Sequence, residues 1–182
     1  MTPVGHCLVG ATIALFAIPR GSSRKRRIFT TLGFLFFANV PDLKIPGWGH
    51  DRYDISHSVF SIGLIGVALV ALTLLWPSFR KWIGGLKVAL LGVVTMMSHL
   101  LLDSFYNHGM GIGIFWPFSE ARLNLAVPWF ETLQTNLPAM TLHSLRVMAI
   151  ELVCFGLVLT LTWIAVRLFL RNDENRAEVD AL

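Results

Sequence analysis

His99 and Asp103 lie four residues apart in an otherwise apolar run. On a helix that spacing puts both side chains on one face. Imidazole and carboxylate on a shared face suit a divalent metal, most often zinc. His57 and Asp42 offer further ligands from neighbouring segments, and His6 is a fifth candidate. A mixed His/Asp set holds a Lewis acid that can polarise a phosphoryl or carbonyl oxygen and lower the pKa of bound water to ~7. Taken singly, each residue has a plainer reading. His99 and Asp103 make a hydrogen-bonded helical pair, Asp42 closes a turn after Asn39-Val40-Pro41, and His57-Ser58 caps a helix. His6 alone reads as a solvated histidine near the chain start. What outweighs these readings is that the residues converge in space.

The convergence follows from the elements that must carry them. Five apolar segments stand out: Val4–Ile18, Ile28–Val40, His57–Trp76, Leu86–Phe105 and Leu145–Leu170. The last three are long enough for a hydrocarbon core of ~30 Å, which needs ~20 helical residues. The first two reach only ~20 Å at ~1.5 Å per residue, as half-spans or as spans completed by protein around them. Basic residues fix the orientation. Arg20 and Arg24 to Arg27 separate the first two segments, Arg80, Lys81 and Lys87 flank the link between the third and fourth, and Arg167 and Arg171 close the fifth. The positive-inside rule places these regions in the cytoplasm. The expectation is an all-α, polytopic membrane bundle of about five helices, the first two short, with the N-terminus out and the C-terminus in. Residues 1–171 form the membrane domain and residues 172–182 a polar cytoplasmic tail.

On that topology His6, Asp42, His57, His99 and Asp103 all arrive at the outer face, from four separate segments. Ionisable groups at membrane depth are expensive and usually functional. From Lys87 the helix rises roughly 18 Å to His99 and roughly 24 Å to Asp103, which leaves both below the outer headgroups. Glu151 lies at a similar height on the fifth segment. It reads first as a protonated, hydrogen-bonded residue and second as a member of the site. His143 reads as interfacial.

Composition supports the membrane class. Of 182 residues 54% are hydrophobic and 14% charged, against ~25% charged in ordinary soluble domains. A net charge of +4 is too small to suggest a nucleic-acid partner. Cys7 and Cys154 sit in apolar runs and imply no disulfide framework. The long connection from Asn107 to His143 carries Phe115, Trp116, Phe118, Trp129 and Phe130. Such aromatics anchor at headgroups, a reading preferred here to a substrate lid. Arg52, Arg122 and Arg146, on the same side, read as headgroup contacts rather than phosphate clamps.

The motifs, taken in order, resemble the bacterial YdjM-like family of LexA-regulated, inner-membrane, metal-dependent hydrolases. The matching pieces are Gly5-His6, Asn39-Val40-Pro41-Asp42-Leu43, Ser56-His57-Ser58, Ser98-His99-Leu100-Leu101-Leu102-Asp103, Gly109 and Trp116-Pro117-Phe118. They span His6 to about Ser119. The family is thought to be distantly similar to zinc-dependent phospholipase C and P1-type nucleases. That similarity implies an all-helical site with zinc held by His and Asp, cleaving a phosphoester. The sequence departs from the family pattern in three places. Lys44 stands where a second acid often follows Pro-Asp. Arg52, whose guanidinium has no lone pair to give a metal, stands in the stretch before His57. Tyr106-Asn107-His108 replaces a common Thr. His50 and Asp54 are therefore the candidates to move protons beside the metal, with His108 an added ligand or proton donor.

The reading is a membrane-embedded metallohydrolase, with the site facing the outer side of the inner membrane. Its substrate is a lipid or amphiphilic phosphoester. The hydrolase class rests on the resemblance, and the lipid on depth, because a soluble nucleotide would lose too much hydration there. The alternative is a non-enzymatic metal-binding membrane protein or an ion carrier. Carriers show paired halves with broken helices, absent from this sequence. Haem is disfavoured by the carboxylates beside His57 and His99, and an intramembrane metalloprotease by the lack of His-Glu-x-x-His.

Overall fold

The computed structural model describes residues 1–19, 21–49, 53–106, 111–133 and 141–180, with side chains through 169. It is all-helical. In chain order the elements are α1 (Pro3–Ala17), α2 (Arg24–Asn39), a 3₁₀ turn at Val40–Asp42, α3 (Tyr53–Ser56), α4 (Val59–Leu75), α5 (Pro77–Ile83), α6 (Leu86–Asp103) and α7 (Leu142–Asp180).

Local chemistry marks the ends. Thr2 caps α1, its hydroxyl accepting from Val4 N at 3.2 Å. Ser58 caps α4, accepting from Ser61 N at 3.1 Å, as its residue type predicts. Gly84, at φ 100°, takes the left-handed conformation that stops α5.

The expectation of five membrane helices is corrected. Among the described residues two helices, α6 and the Leu142–Phe169 part of α7, are long and apolar enough to cross a membrane. A third counts only if α4 and α5 are taken as one span bent by 115°. The physical causes are local. Pro77 starts a new helix directly after Trp76. Helix α1 stops at 15 residues, and the whole first turn of α2 is basic. Helix α1 is packed among its neighbours, while α2 buries one face through Phe34 and Ala38 and leaves Phe29, Leu32 and Phe36 exposed. Helix α1 lies against α2, α6 and α7, and α6 lies against α1, α2 and α4. Close approach is possible because α1 is lined with small residues. A Cβ added at Gly10 would stand 2.7 Å from the Phe34 carbonyl oxygen. The Asn39 amide donates to Leu35 O at 2.8 Å and also contacts Cys7 Sγ at 3.4 Å, joining α2 to α1.

Two apolar clusters fill the interior. Ala14, Ala17, Phe34 and Val88 join α1, α2 and α6. Val40, Ile62, Met96 and Leu100 join the 3₁₀ turn, α4 and α6. Helix α7 differs: only 11% of its apolar window is buried, against 44% for α6. It presents an apolar surface and continues as one helix to Asp180.

Segment 111–133 runs over the end of the bundle that carries the polar cluster. Leu125 N donates to Ser104 O and Val127 N to Phe105 O, each at 2.8 Å, and Val59 N donates to Ile114 O at 2.9 Å. Ile112 pairs with Leu123 in a single antiparallel bridge.

Candidate metal centre

Asp42, His57, His99 and Asp103 come together so that one ligand atom from each lies within 4.8 Å of all the others. Each arrives differently. Asp42 ends the 3₁₀ turn after α2, His57 precedes the Ser58 cap of α4, and His99 and Asp103 share one face of α6. His57 Nε2 stands 3.2 Å from Asp42 Oδ1 and 3.5 Å from Asp103 Oδ2. His99 Nε2 stands 3.7 Å from Asp42 Oδ2 and 3.5 Å from Asp103 Oδ2. The two Nε2 atoms are 3.2 Å apart.

His6 completes the set. It lies one turn into α1, stacks on His99 with ring centroids 3.7 Å apart, and points Nε2 at Asp103 Oδ1 from 3.2 Å. It is 1% exposed, the opposite of the solvated histidine its position alone suggests. The Met1 amine reaches the same Asp103 oxygen at 2.8 Å.

The donor chemistry fits a divalent cation. His99 Nδ1 lies 2.7 Å from the Ala38 carbonyl oxygen. A carbonyl only accepts, so Nδ1 carries the proton, and in the neutral ring the bare Nε2 faces inward. His57 is steered likewise by Ser56 Oγ, 2.7 Å from its Nδ1. Nitrogen lone pairs and carboxylate oxygens are thus gathered with 0% to 3% side-chain exposure at every donor except Asp42, at 13%. His6 Nε2 is buried with no hydrogen bond of good geometry. Only protons or a cation make such a gathering favourable. At Asp42 burial pushes the carboxyl pKa up, but the His57 hydrogen bond and the neighbouring His99 outweigh it and hold the group at about 2.

Sequence reasoning missed Tyr53. Its ring stacks on His57 at 3.8 Å, and its hydroxyl is 3.4 Å from Asp103 Oδ2. The four-residue spacing from Tyr53 to His57 was the available signal. Asp54 is paired outside the donor set with Arg122, at 3.0 Å, and Arg122 also donates to Gly111 O at 3.2 Å. His50 and His108 lie outside the described residues.

Glu151 does not join the donor set. It is fully buried on α7 and its carboxylate accepts from Thr2 N at 2.8 Å, from the Thr2 hydroxyl, and from Gly5 N at 3.2 Å. A carboxylate there is favoured by the exposed amides and dipole of the α1 N-terminus. Of the two readings its position allowed, the hydrogen-bonded one holds: Glu151 clamps the helix that carries His6. His143 ties the loop to α7, Nε2 to Thr132 O at 3.0 Å and Nδ1 to Glu131 at 3.3 Å.

Residues 1–173 match the protein family described as YdjM inner membrane protein. The chain belongs to that family. No curated protein and no solved structure matches it significantly. The YdjM match covers α1 to α6 and all of the apolar part of α7, so the cluster and its supporting helices lie wholly within the family region.

Proposed function

We propose that the protein is a membrane-embedded, metal-dependent hydrolase of the zinc type that cleaves a phosphoester in a lipid or amphiphilic substrate. The observation that carries this reading is the inward-facing set of Asp42, His57, His99 and Asp103, with His6 beside it. Its all-helical setting agrees with the resemblance to LexA-regulated hydrolases and, more distantly, to zinc-dependent phospholipase C and P1-type nucleases.

A divalent ion held there would supply Lewis acidity toward a phosphoryl oxygen and toward water. The protein's own groups do the rest. Ala38 O and Ser56 Oγ orient the two imidazoles. Asp42, the most open donor, marks the side from which a phosphate approaches. Tyr53 holds a phenolic proton beside Asp103 and can give a hydrogen bond to a phosphate oxygen. Asp54, His50 and His108 remain candidates to move protons, Asp54 after release from Arg122.

The site opens outward in this reading, with the basic loops on the cytoplasmic side. A reporter inserted near Ser22 reads as cytoplasmic, and one near Gly111 as external. A cytoplasmic Gly111 would reverse the access route.

The alternative, a non-enzymatic metal-binding membrane protein or ion carrier, draws on the near-complete burial of the donors. One experiment separates the two. Metal-replete protein in detergent is offered phospholipids, polyprenyl phosphates and short-chain soluble phosphodiesters. The hydrolase turns over the amphiphilic substrates, and the activity disappears with His57→Ala and Asp103→Ala. Stoichiometric metal without turnover of any substrate would favour the alternative, and turnover unchanged in both variants would sink the site assignment.

A further inference from the structure

The opposite end of the bundle holds a second concave feature. A cavity of about 680 Å³ opens between α1, α2, α6 and α7. Arg27, Lys87 and Arg167 reach it from three different helices, and Leu15, Phe16 and Trp163 supply apolar wall. Among the described residues no carboxylate lines it, and none of the three cations has an ion pair. Lys87 is 12 positions before His99 on α6, so the cavity is roughly 18 Å along the helix from the metal centre.

Two of the three cations, Arg27 and Arg167, are held rather than dangling. The Arg27 Nε donates to Ser22 O at 3.0 Å, which leaves its terminal nitrogens for another acceptor. The Arg167 guanidinium lies 5.1 Å from the centre of the Trp163 ring. That stacking favours a flat, oriented fork, the geometry that meets phosphate with two hydrogen bonds. The placement also runs against helix electrostatics. Arg24, Lys25, Arg26 and Arg27 fill the first turn of α2, where the macrodipole disfavours cations. An anion bound at this end would relieve that repulsion.

We propose that this cleft binds the phosphate headgroup of an anionic phospholipid, with an acyl chain lying along Phe16 and Trp163. Free phosphate would use the cations but not the apolar wall. Phe16 is 51% and Trp163 47% exposed, and the wall is continuous with the exposed apolar surface of α7. Basic pockets between membrane helices recognise lipid headgroups by this combination. The inference does not depend on the metal centre or on hydrolysis.

The test uses full-length protein stripped of lipid in neutral detergent. Binding of phosphatidylglycerol, phosphatidylethanolamine and inorganic phosphate is measured by native mass spectrometry and by calorimetry. Phosphatidylglycerol binds most tightly. The variant Arg27→Gln/Lys87→Gln/Arg167→Gln weakens it by about tenfold or more, while Arg24→Gln/Arg80→Gln/Lys81→Gln, with the same charge change, stays within about twofold. Thermal unfolding of both variants verifies that they remain folded. Equal loss in the two variants would reduce the effect to general charge and overturn the site. Inorganic phosphate binding as tightly as phosphatidylglycerol, or no preference between the two lipids, would overturn the lipid assignment.

Discussion

The two ends of this bundle carry charge under opposite rules. At one end five ionisable side chains are gathered with their donor atoms within hydrogen-bonding range, and four are almost fully buried. At the other end the basic side chains Arg27, Lys87 and Arg167 are exposed around an open cavity. Buried charge demands a partner for every atom, so small displacements are costly. Exposed charge is solvated and tolerates substitution. Helix α6 joins the two regimes, with Lys87 in its first turn and Asp103 at its last residue. The difference teaches where function is brittle and where it is graded.

The largest effect should follow from Asp103→Ala. Asp103 faces His6, His57 and His99 at once. Its loss should weaken divalent-metal affinity by more than about 100-fold, beyond the loss typical of an outer-shell partner. Elemental analysis of the purified variant is the check, and metal retained at the wild-type ratio would remove Asp103 from the site. The same substitution of Lys87, at the other end of the helix, should leave metal content unchanged.

Chelation ranks next. With the metal present at about a thousandfold over its dissociation constant, binding stabilises by about 4 kcal/mol. Removing it should lower the unfolding midpoint by roughly 10 °C for a chain of this size. Differential scanning of chelator-treated and metal-restored protein measures this. A shift below a degree would mean that protons, not a metal, balance the cluster.

The Glu151 clamp comes third. Glu151→Ala leaves the Thr2 and Gly5 amides buried without their acceptor, at a cost of about 1–3 kcal/mol each. Glu151→Gln retains an acceptor oxygen and should lose less. Thermal unfolding in detergent distinguishes them, and equal loss would show that the ionised carboxylate is what α1 requires.

The smallest effect is expected at exposed ion pairs. Arg122 and Asp54 are 33% and 43% exposed, so Arg122→Ala should cost about 0.5 kcal/mol. A loss several times larger, read from the same unfolding curves, would mean that the loop over the metal centre depends on this pair.

Much of the centre was legible before any fold was known. The His99–Asp103 spacing needs only a helix to put both groups on one face, and an apolar run makes two ionisable residues conspicuous. Ser58 was legible as a cap for the same local reason. The spans were less legible. Apolar composition left Val4–Ile18 and Ile28–Val40 as half-spans or as spans completed by surrounding protein, and α1 and α2 prove too short to cross and share a core with α6. Glu151 shows the limit most clearly. Its place in an apolar segment suggested a hydrogen bond to a neighbouring helix, but not that the partners are Thr2 and Gly5 at the start of α1. Tyr53 was overlooked because its four-residue spacing to His57 is a weak signal in a short polar stretch with no apolar periodicity to support a helix there.

By itself the sequence determined the membrane class, the helical content and the residue types able to hold a metal. These follow from composition, from 3.6-residue periodicity and from the chemistry of single side chains, all of which are local. Only the tertiary structure decided that His6 stacks on His99 and faces Asp103, that Glu151 clamps α1 and that Asp54 turns to Arg122. Each depends on rotations and separations between helices far apart in the chain. Small residues such as Gly10 allow those close approaches, but local pattern does not specify which helix fills the space they leave.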